Sequence, residues 1–154
     1  MKYTATLLFT LVFTITACAP NSDSSVSSNP SYPNSPNPDP SAQNEYAPQP
    51  SDSSLTRDNA FLDSKELLTL ESFPLQFTLH LAGSLPTPCN QIRVAVNIPD
   101  AENNLFVDVY SVSNPDRICA QVIAPFDVSI PLGSFPPGKY LLWVNGEMIV
   151  EFQS

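Results

Sequence analysis

The stretch Phe73-Pro74-Leu75-Gln76-Phe77-Thr78-Leu79-His80-Leu81 decides the fold class, because every odd position is apolar while Gln76, Thr78 and His80 are polar. Successive side chains of a β-strand point to opposite faces, so this pattern describes a strand dry on one face and wet on the other. Pro74 stands at its start, where a missing N–H is tolerated. Gly83 and the corner Leu85-Pro86-Thr87-Pro88 mark its end.

The same period recurs downstream. Ile92, Val94, Val96 and Ile98 form an even-numbered apolar face, closed by Pro99 and the polar turn Asp100 to Asn104. Leu105 to Val112 is a third run, with Val107 and Val109 opposed to Asp108. After Asn114-Pro115-Asp116 and Cys119, the positions Phe126, Val128, Ile130 and Leu132 alternate again until Gly133 and Pro136-Pro137-Gly138. Tyr140 to Val144, Asn145-Gly146 and Met148 to Phe152 read as a closing hairpin. Short strands, turn signals about every 8 to 12 residues and no long helical period after residue 71 predict an all-β fold, an antiparallel Ig-like β-sandwich of about seven strands.

The hairpin register has two solutions. A two-residue Asn-Gly turn sets Val144 against Glu147 and Tyr140 against Glu151. One more residue in the loop sets Val144 against Met148, Leu142 against Val150 and Tyr140 against Phe152, which makes one wholly apolar face and is the expected register. It turns Leu141 and Trp143 away from the core with Ile149 on the same outer face, a candidate binding patch. The opposing reading is that residues 55–70 cover that patch.

Residues 55–71 fit two descriptions. Phe61, Leu62, Lys65 and Leu68 could share a helical face capped by Asp58 or Asp63, whereas Leu68 and Leu70 alternate with Thr69 and Glu71 as in a strand. A short edge strand from about Glu66 to Glu71 is the expectation. Before it, Ala19 to about Ser54 is dominated by Ser, Pro and Asn, as in Pro33-Asn34-Ser35-Pro36-Asn37-Pro38-Asp39-Pro40. Such a segment cannot bury enough apolar surface to offset its ordering entropy, so it is expected to be a disordered tether, with Tyr32 and Tyr46 as spacer residues. Its roughly 36 residues would span about 35 Å as a coil and about 110 Å as polyproline II.

The first residues, Met1-Lys2-Tyr3 and the uncharged run Leu7 to Ile15, have the layout of a secretory signal, too short in its apolar part for a membrane span of about 20 residues. Ile15-Thr16-Ala17-Cys18 resembles the lipobox of bacterial lipoproteins. That resemblance implies cleavage before Cys18, acylation of Cys18 and attachment to a membrane. With Ala19 rather than aspartate next, it implies the outer membrane where the cell has one and the cell surface otherwise. The expected organisation is therefore a signal peptide over 1–17, a lipidated cysteine and linker over 18–54, and a β-sandwich over 55–154.

The chain of 154 residues carries 15 acidic against 6 basic side chains, a formal charge of −9. Nucleic acid and anionic lipid headgroups repel such a chain, so no nucleic-acid partner is expected. Of three cysteines, one is assigned to the lipid, and the remaining pair, Cys89 and Cys119, is expected as a disulfide in an exported protein. No Cys-x-x-Cys spacing suggests a redox pair.

The segments Glu71-Ser72-Phe73-Pro74-Leu75-Gln76, Leu85-Pro86 with Cys89, Cys119-Ala120-Gln121, Val122 to Pro131 and Gly138-Lys139-Tyr140 through Val144-Asn145-Gly146 resemble an uncharacterised family of exported bacterial domains. That family reads roughly ESFPVQ, LP-x-G-C, C-x-Q-x-x-x-PF and GTY-x-V-x-VNG. The resemblance covers about residues 66 to 152; it implies the sandwich and supplies no activity. The family has one residue fewer after the hairpin glycine, so this chain departs from it by an insertion, consistent with a longer loop or a bulge.

Little else could carry chemistry. His80 is the only histidine, lies mid-strand and has no nucleophile signature beside it, so no catalytic site is expected. Zinc or copper would want several His or Cys ligands, and Asp100, Glu102 and Asp116 lack a calcium-loop spacing, so no metal or cofactor is expected. The expected function is a non-catalytic, membrane-anchored binding module, monomeric, with a protein or envelope polymer as partner through Leu141, Trp143 and Ile149 or the loops around Pro86 and Pro136. The rivals are a protease inhibitor presenting Ala82 to Pro88 and a structural envelope protein.

Overall fold

A computed structural model describes residues 44–154. The expected signal, Cys18, Tyr32 and most of the linker lie outside the described residues. Among the described residues the strands run β1 (Thr56–Asn59), β2 (Phe61–Leu70), β3 (Gln76–Leu85), β4 (Gln91–Val96), β5 (Asn104–Ser113), β6 (Ala124–Gly133), β7 (Lys139–Val144) and β8 (Glu147–Gln153). They form an all-β, mostly antiparallel sandwich: a three-stranded sheet in the order β2-β3-β6, and a five-stranded sheet in the order β1-β5-β7-β8 with β4 also paired to β5.

The core lies between the two inner faces, where alternation puts it. Phe77, Leu79, Leu81 and Leu85 of β3 and Val128, Ile130 and Leu132 of β6 meet Ile92, Val94, Leu105, Val107, Val109, Leu142 and Val144 of the larger sheet. One end is closed by an aromatic cluster in which Phe77 and Phe152 have ring centroids 4.7 Å apart and Tyr140 stacks on Phe152 at 5.5 Å. The Tyr140 hydroxyl donates to the Pro136 carbonyl at 3.0 Å, so its one polar atom is satisfied.

One pairing departs from the all-antiparallel expectation. β5 and β7 run parallel, with Asn104 opposite Leu141 and Val107 opposite Val144. Parallel neighbours need a long crossover, and here the chain leaves β5, crosses to the other sheet as β6 and returns as β7.

Residues 55–71 hold no helix. They form two strands on different sheets, β1 on β5 and β2 on β3. The helix-like spacing has a local cause: β2 bulges between Leu62 and Ser64, and the extra residue shifts the inward phase from Leu62 to Lys65 and Leu67. Leu70 pairs with Gln76, which makes Glu71 to Leu75 the connection; β3 therefore starts at Gln76, and Phe73 stands fully exposed. Gly83 lies inside β3 rather than ending it, because a Cβ there would collide with the Phe61 carbonyl at the bulge. Leu85 is buried and Thr87 is tied to Asn90, so Ala82 to Pro88 is not a projecting inhibitory loop. Ile98 is exposed rather than inward, since β4 stops at Val96.

The boundary at residue 55 also moves. Residues 44–54 form a strap on β4: the Val94 N–H donates to the Tyr46 carbonyl at 2.7 Å and Asn44 Nδ2 to the Val94 carbonyl at 2.8 Å. Tyr46 packs against the core instead of acting as a spacer. A 3₁₀ turn, Pro50–Ser54, sets Asp52 against Arg93, whose Nε and Nη2 donate to the two carboxylate oxygens at 2.8 and 2.9 Å. The Arg93 fork holds the Asp52 carboxyl below the usual carboxylate range; the backbone N–H of Gln49 acts in the same direction, and burial opposes both.

Candidate functional site

The site grows from how one edge of β5 is filled. β1 covers its C-terminal half, pairing Asn59 with Tyr110 and Thr56 with Ser113, and β7 covers its N-terminal half. Between them Val109 would be left bare. Asn145, at the tip of the β7–β8 hairpin, fills the gap: its Oδ1 accepts from the Val109 N–H at 2.7 Å, and its Nδ2 donates to the Val109 carbonyl at 2.9 Å. Its own backbone N–H donates to the Val107 carbonyl at 3.0 Å. A side-chain amide thus replaces one residue of a neighbouring strand.

The hairpin combines both registers. Val144 opposes Glu147 across a two-residue turn in which Asn145 (φ 49°) and Gly146 (φ 81°) take left-handed conformations, the requirement that selects Asn-Gly. A bulge at Ile149 then shifts the pairing, so Leu142 opposes Val150 and Tyr140 opposes Phe152. The inserted residue is therefore the bulge. This corrects the expected patch: Ile149 packs against the core, and Met148, opposite Trp143 and half exposed, stands on the outer face in its place.

Leu141 and Trp143 are half-buried on that outer face. Trp143 lies opposite Phe106 of β5, with ring centroids 6.1 Å apart and planes tilted by 30°. Its indole Nε1 donates to Asn104 Oδ1 at 3.3 Å, while Asn104 Nδ2 donates to Asp100 Oδ2 at 2.9 Å. The N–H groups of Glu102 and Asn104 also point at Asp100. Hydrogen bonds from Asn104, by side chain and then backbone, keep the Asp100 carboxyl below its ordinary range, so this acid organises a turn. Residues 55–70 do not supply these Trp143 contacts; β5 and its leading turn do.

Beside Phe106, an open groove of about 640 Å³ runs across β5 between the ends of β1 and β7, lined by Arg57, Asn59, Phe106, Asp108, Tyr110 and Asn145 among others. Arg57 Nη2 meets Asp108 Oδ2 at 2.6 Å, and its guanidinium carbon lies 3.6 Å from the Tyr110 ring centroid. Sequence reasoning named Trp143 and missed Phe106, Asp108 and Tyr110. The signal was present in the even positions of β5, which put two aromatic rings on a face that alternation assigns to water.

Other singled-out residues lie elsewhere. Cys89 and Cys119 form a disulfide that pins the loop after β5 to the loop after β3. His80 Nε2 lies 2.8 Å from Asp127 Oδ1 on the outer face of the smaller sheet. Ser129 stands opposite His80, yet among the described residues no hydrogen bond joins the two side chains. Among the described residues no three His, Cys, Asp or Glu side chains gather into a metal-ligand set.

Residues 79–154, from mid-β3 to the C-terminus, match the family model described as the ORF11 beta-sandwich domain. Over 85 residues the chain is 29% identical to an uncharacterized 10.2 kDa protein in the HgiCIIM 5′ region of Herpetosiphon aurantiacus, covering 54% of this chain and 89% of that protein. No solved structure matches the chain. The sandwich is thus related to an uncharacterised bacterial domain family.

Proposed function

We propose that this chain is an extracytoplasmic lipoprotein, held on a membrane through acylated Cys18, whose β-sandwich is a non-catalytic binding module. The observation that carries the binding role is the outer face of the five-stranded sheet, where Trp143, Phe106 and Met148 stand together beside an open groove. Large aromatic side chains grouped on a rigid sheet are what interfaces use as anchors. The lipobox-like Ile15-Thr16-Ala17-Cys18 supports the anchor, and Ala19 supports the outer membrane where one exists. A diacylglyceryl anchor supplies two acyl chains, enough for stable attachment where a single chain binds only marginally.

Two measurements test this. Cys18→Ser should move the protein from the membrane fraction to the soluble extracytoplasmic fraction; retention in the membrane refutes the anchor. Full-length protein in detergent, incubated with envelope extract, should retain a component that Trp143→Ala loses; equal retention by both refutes the assigned face.

A further inference from the structure

We infer that the groove across β5 is a subsite for an uncharged polysaccharide chain, with Phe106 as its stacking platform. This deepens the proposed binding role and rests on it.

Three features of the groove select that occupant. The first is the absence of a backbone edge to pair with. A peptide that binds a sheet adds itself as a strand and takes its affinity from free N–H and C=O groups. The edge of β5 that faces the groove offers none at its centre: Val107 and Val109 are bonded to Asn145, and Ser111 and its neighbours are paired with β1. What remains for a ligand is side-chain surface.

The second is the kind of surface. Phe106 is 40% exposed, and with Trp143 tilted 30° beside it the two rings make an apolar step. The Trp143 N–H is already donated to Asn104, so the indole offers its ring to a ligand. Around the step stand a carboxylate, a guanidinium and an amide, each held by another protein group: Asp108 by Arg57, Arg57 also by the Tyr110 ring, and Asn145 by Val109. A pyranose has this complementary form, with an apolar C–H face and a rim of hydroxyls that donate and accept.

The third is charge and shape. Arg57 and Asp108 neutralise each other, and Asp58, the other carboxylate of the lining, is occupied by Asn90 and Ser113. Among the described residues the groove therefore leaves no cation free for an anionic ligand, and a chain of formal charge −9 repels polyanions. The groove lies open on a sheet face, whereas tight small-molecule sites bury about 70–90% of the ligand. A repeating polymer suits such a site, because many weak contacts along one chain add through avidity.

The experiment uses full-length protein in detergent and its single tryptophan, Trp143, as reporter. Dextran, mannan, xylan and a mixed-linkage β-glucan are titrated while Trp143 emission is followed, and each is cast into native gels for affinity electrophoresis. At least one polymer should give a saturable emission change and retard the protein. Phe106→Ala and Asp108→Asn should each weaken that binding about tenfold, as expected for loss of a principal contact. Phe73→Ala, at the exposed corner after β2, should bind as wild type. Binding by no polymer, or binding unchanged in Phe106→Ala and Asp108→Asn, overturns the inference. If no polymer binds but an envelope component is still retained by wild type and lost in Trp143→Ala, the glycan assignment fails alone; if neither binds, the binding role fails with it.

Discussion

The side-chain amide of Asn145 is hydrogen-bonded to both backbone groups of Val109, at 2.7 Å to its N–H and 2.9 Å to its carbonyl. One residue thereby joins three elements: it turns the β7–β8 hairpin, completes the edge of β5 and forms one wall of the groove. Asn145→Gly tests the joint without disturbing the turn, since glycine adopts the same left-handed conformation. The two Val109 groups would lose their partners, and stability to urea should fall by about 2 kcal/mol or more. A variant as stable as wild type would show that water replaces the amide at no cost.

The bulge at Ile149 makes a prediction about deletion. Removing Ile149 leaves Val144 opposite Glu147, Trp143 opposite Met148 and Leu142 opposite Val150, so the hairpin closes in register. The loss should be confined to the burial of one partly covered side chain, about 1–2 kcal/mol. Removing Gly146 also leaves a two-residue loop with Leu142 still opposite Val150, but it moves Ile149 to the outer face opposite Trp143. It also puts Glu147 where the left-handed glycine stood, and together these changes should cost about 1–2 kcal/mol more. Thermal melts followed by circular dichroism compare the two, and equal damage would contradict this register.

Asp52 and Arg93 predict an acid limb. Because the folded-state pKa of Asp52 is depressed, its ion pair contributes in full above the unfolded value of about 3.9 and is lost as pH falls through the lower folded value. Asp100, depressed by its own turn, acts in the same window. Urea midpoints should therefore fall steeply below about pH 4 in wild type and less steeply in Asp52→Asn. Parallel curves for the two proteins would mean that the strap contributes nothing through charge.

The disulfide joins residues 30 apart in sequence, and closing a loop of that size stabilises by about 3.5 kcal/mol on the chain-entropy model. The double variant Cys89→Ser with Cys119→Ser should lose about that much in urea unfolding, with the far-ultraviolet spectrum kept. A loss well below 1 kcal/mol would mean that the unfolded chain is not appreciably restrained by the bond.

His80→Ala should be nearly silent. Its contact with Asp127 is an exposed cross-strand pair, with Asp127 largely in water, and such pairs contribute about 0–1 kcal/mol. Stability and binding should stay within that margin; a larger effect on binding would move the functional face to the smaller sheet.

The sequence alone determined the sandwich and its core. Two-residue periodicity is a local property, so Leu79, Val94, Val107, Ile130 and Leu142 could be assigned inward without knowing which strands were neighbours. Cysteine count proposed the disulfide, and the clash between the two hairpin registers anticipated a longer loop or a bulge. The tertiary structure decided what depends on distant segments. The parallel pairing of β5 with β7 follows from the crossover through β6, and the bulge in β2 disguised a strand as a helix by shifting its phase. The strap could not be read because its polar composition resembles a linker; its order comes from Arg93 and Val94, about 40 or more residues away. The same holds at the outer face, where Phe106 and Trp143 were each legible as wet-face aromatics. Only strand pairing could bring them together, since sequence periodicity gives the face of a side chain and says nothing of its neighbour across the sheet.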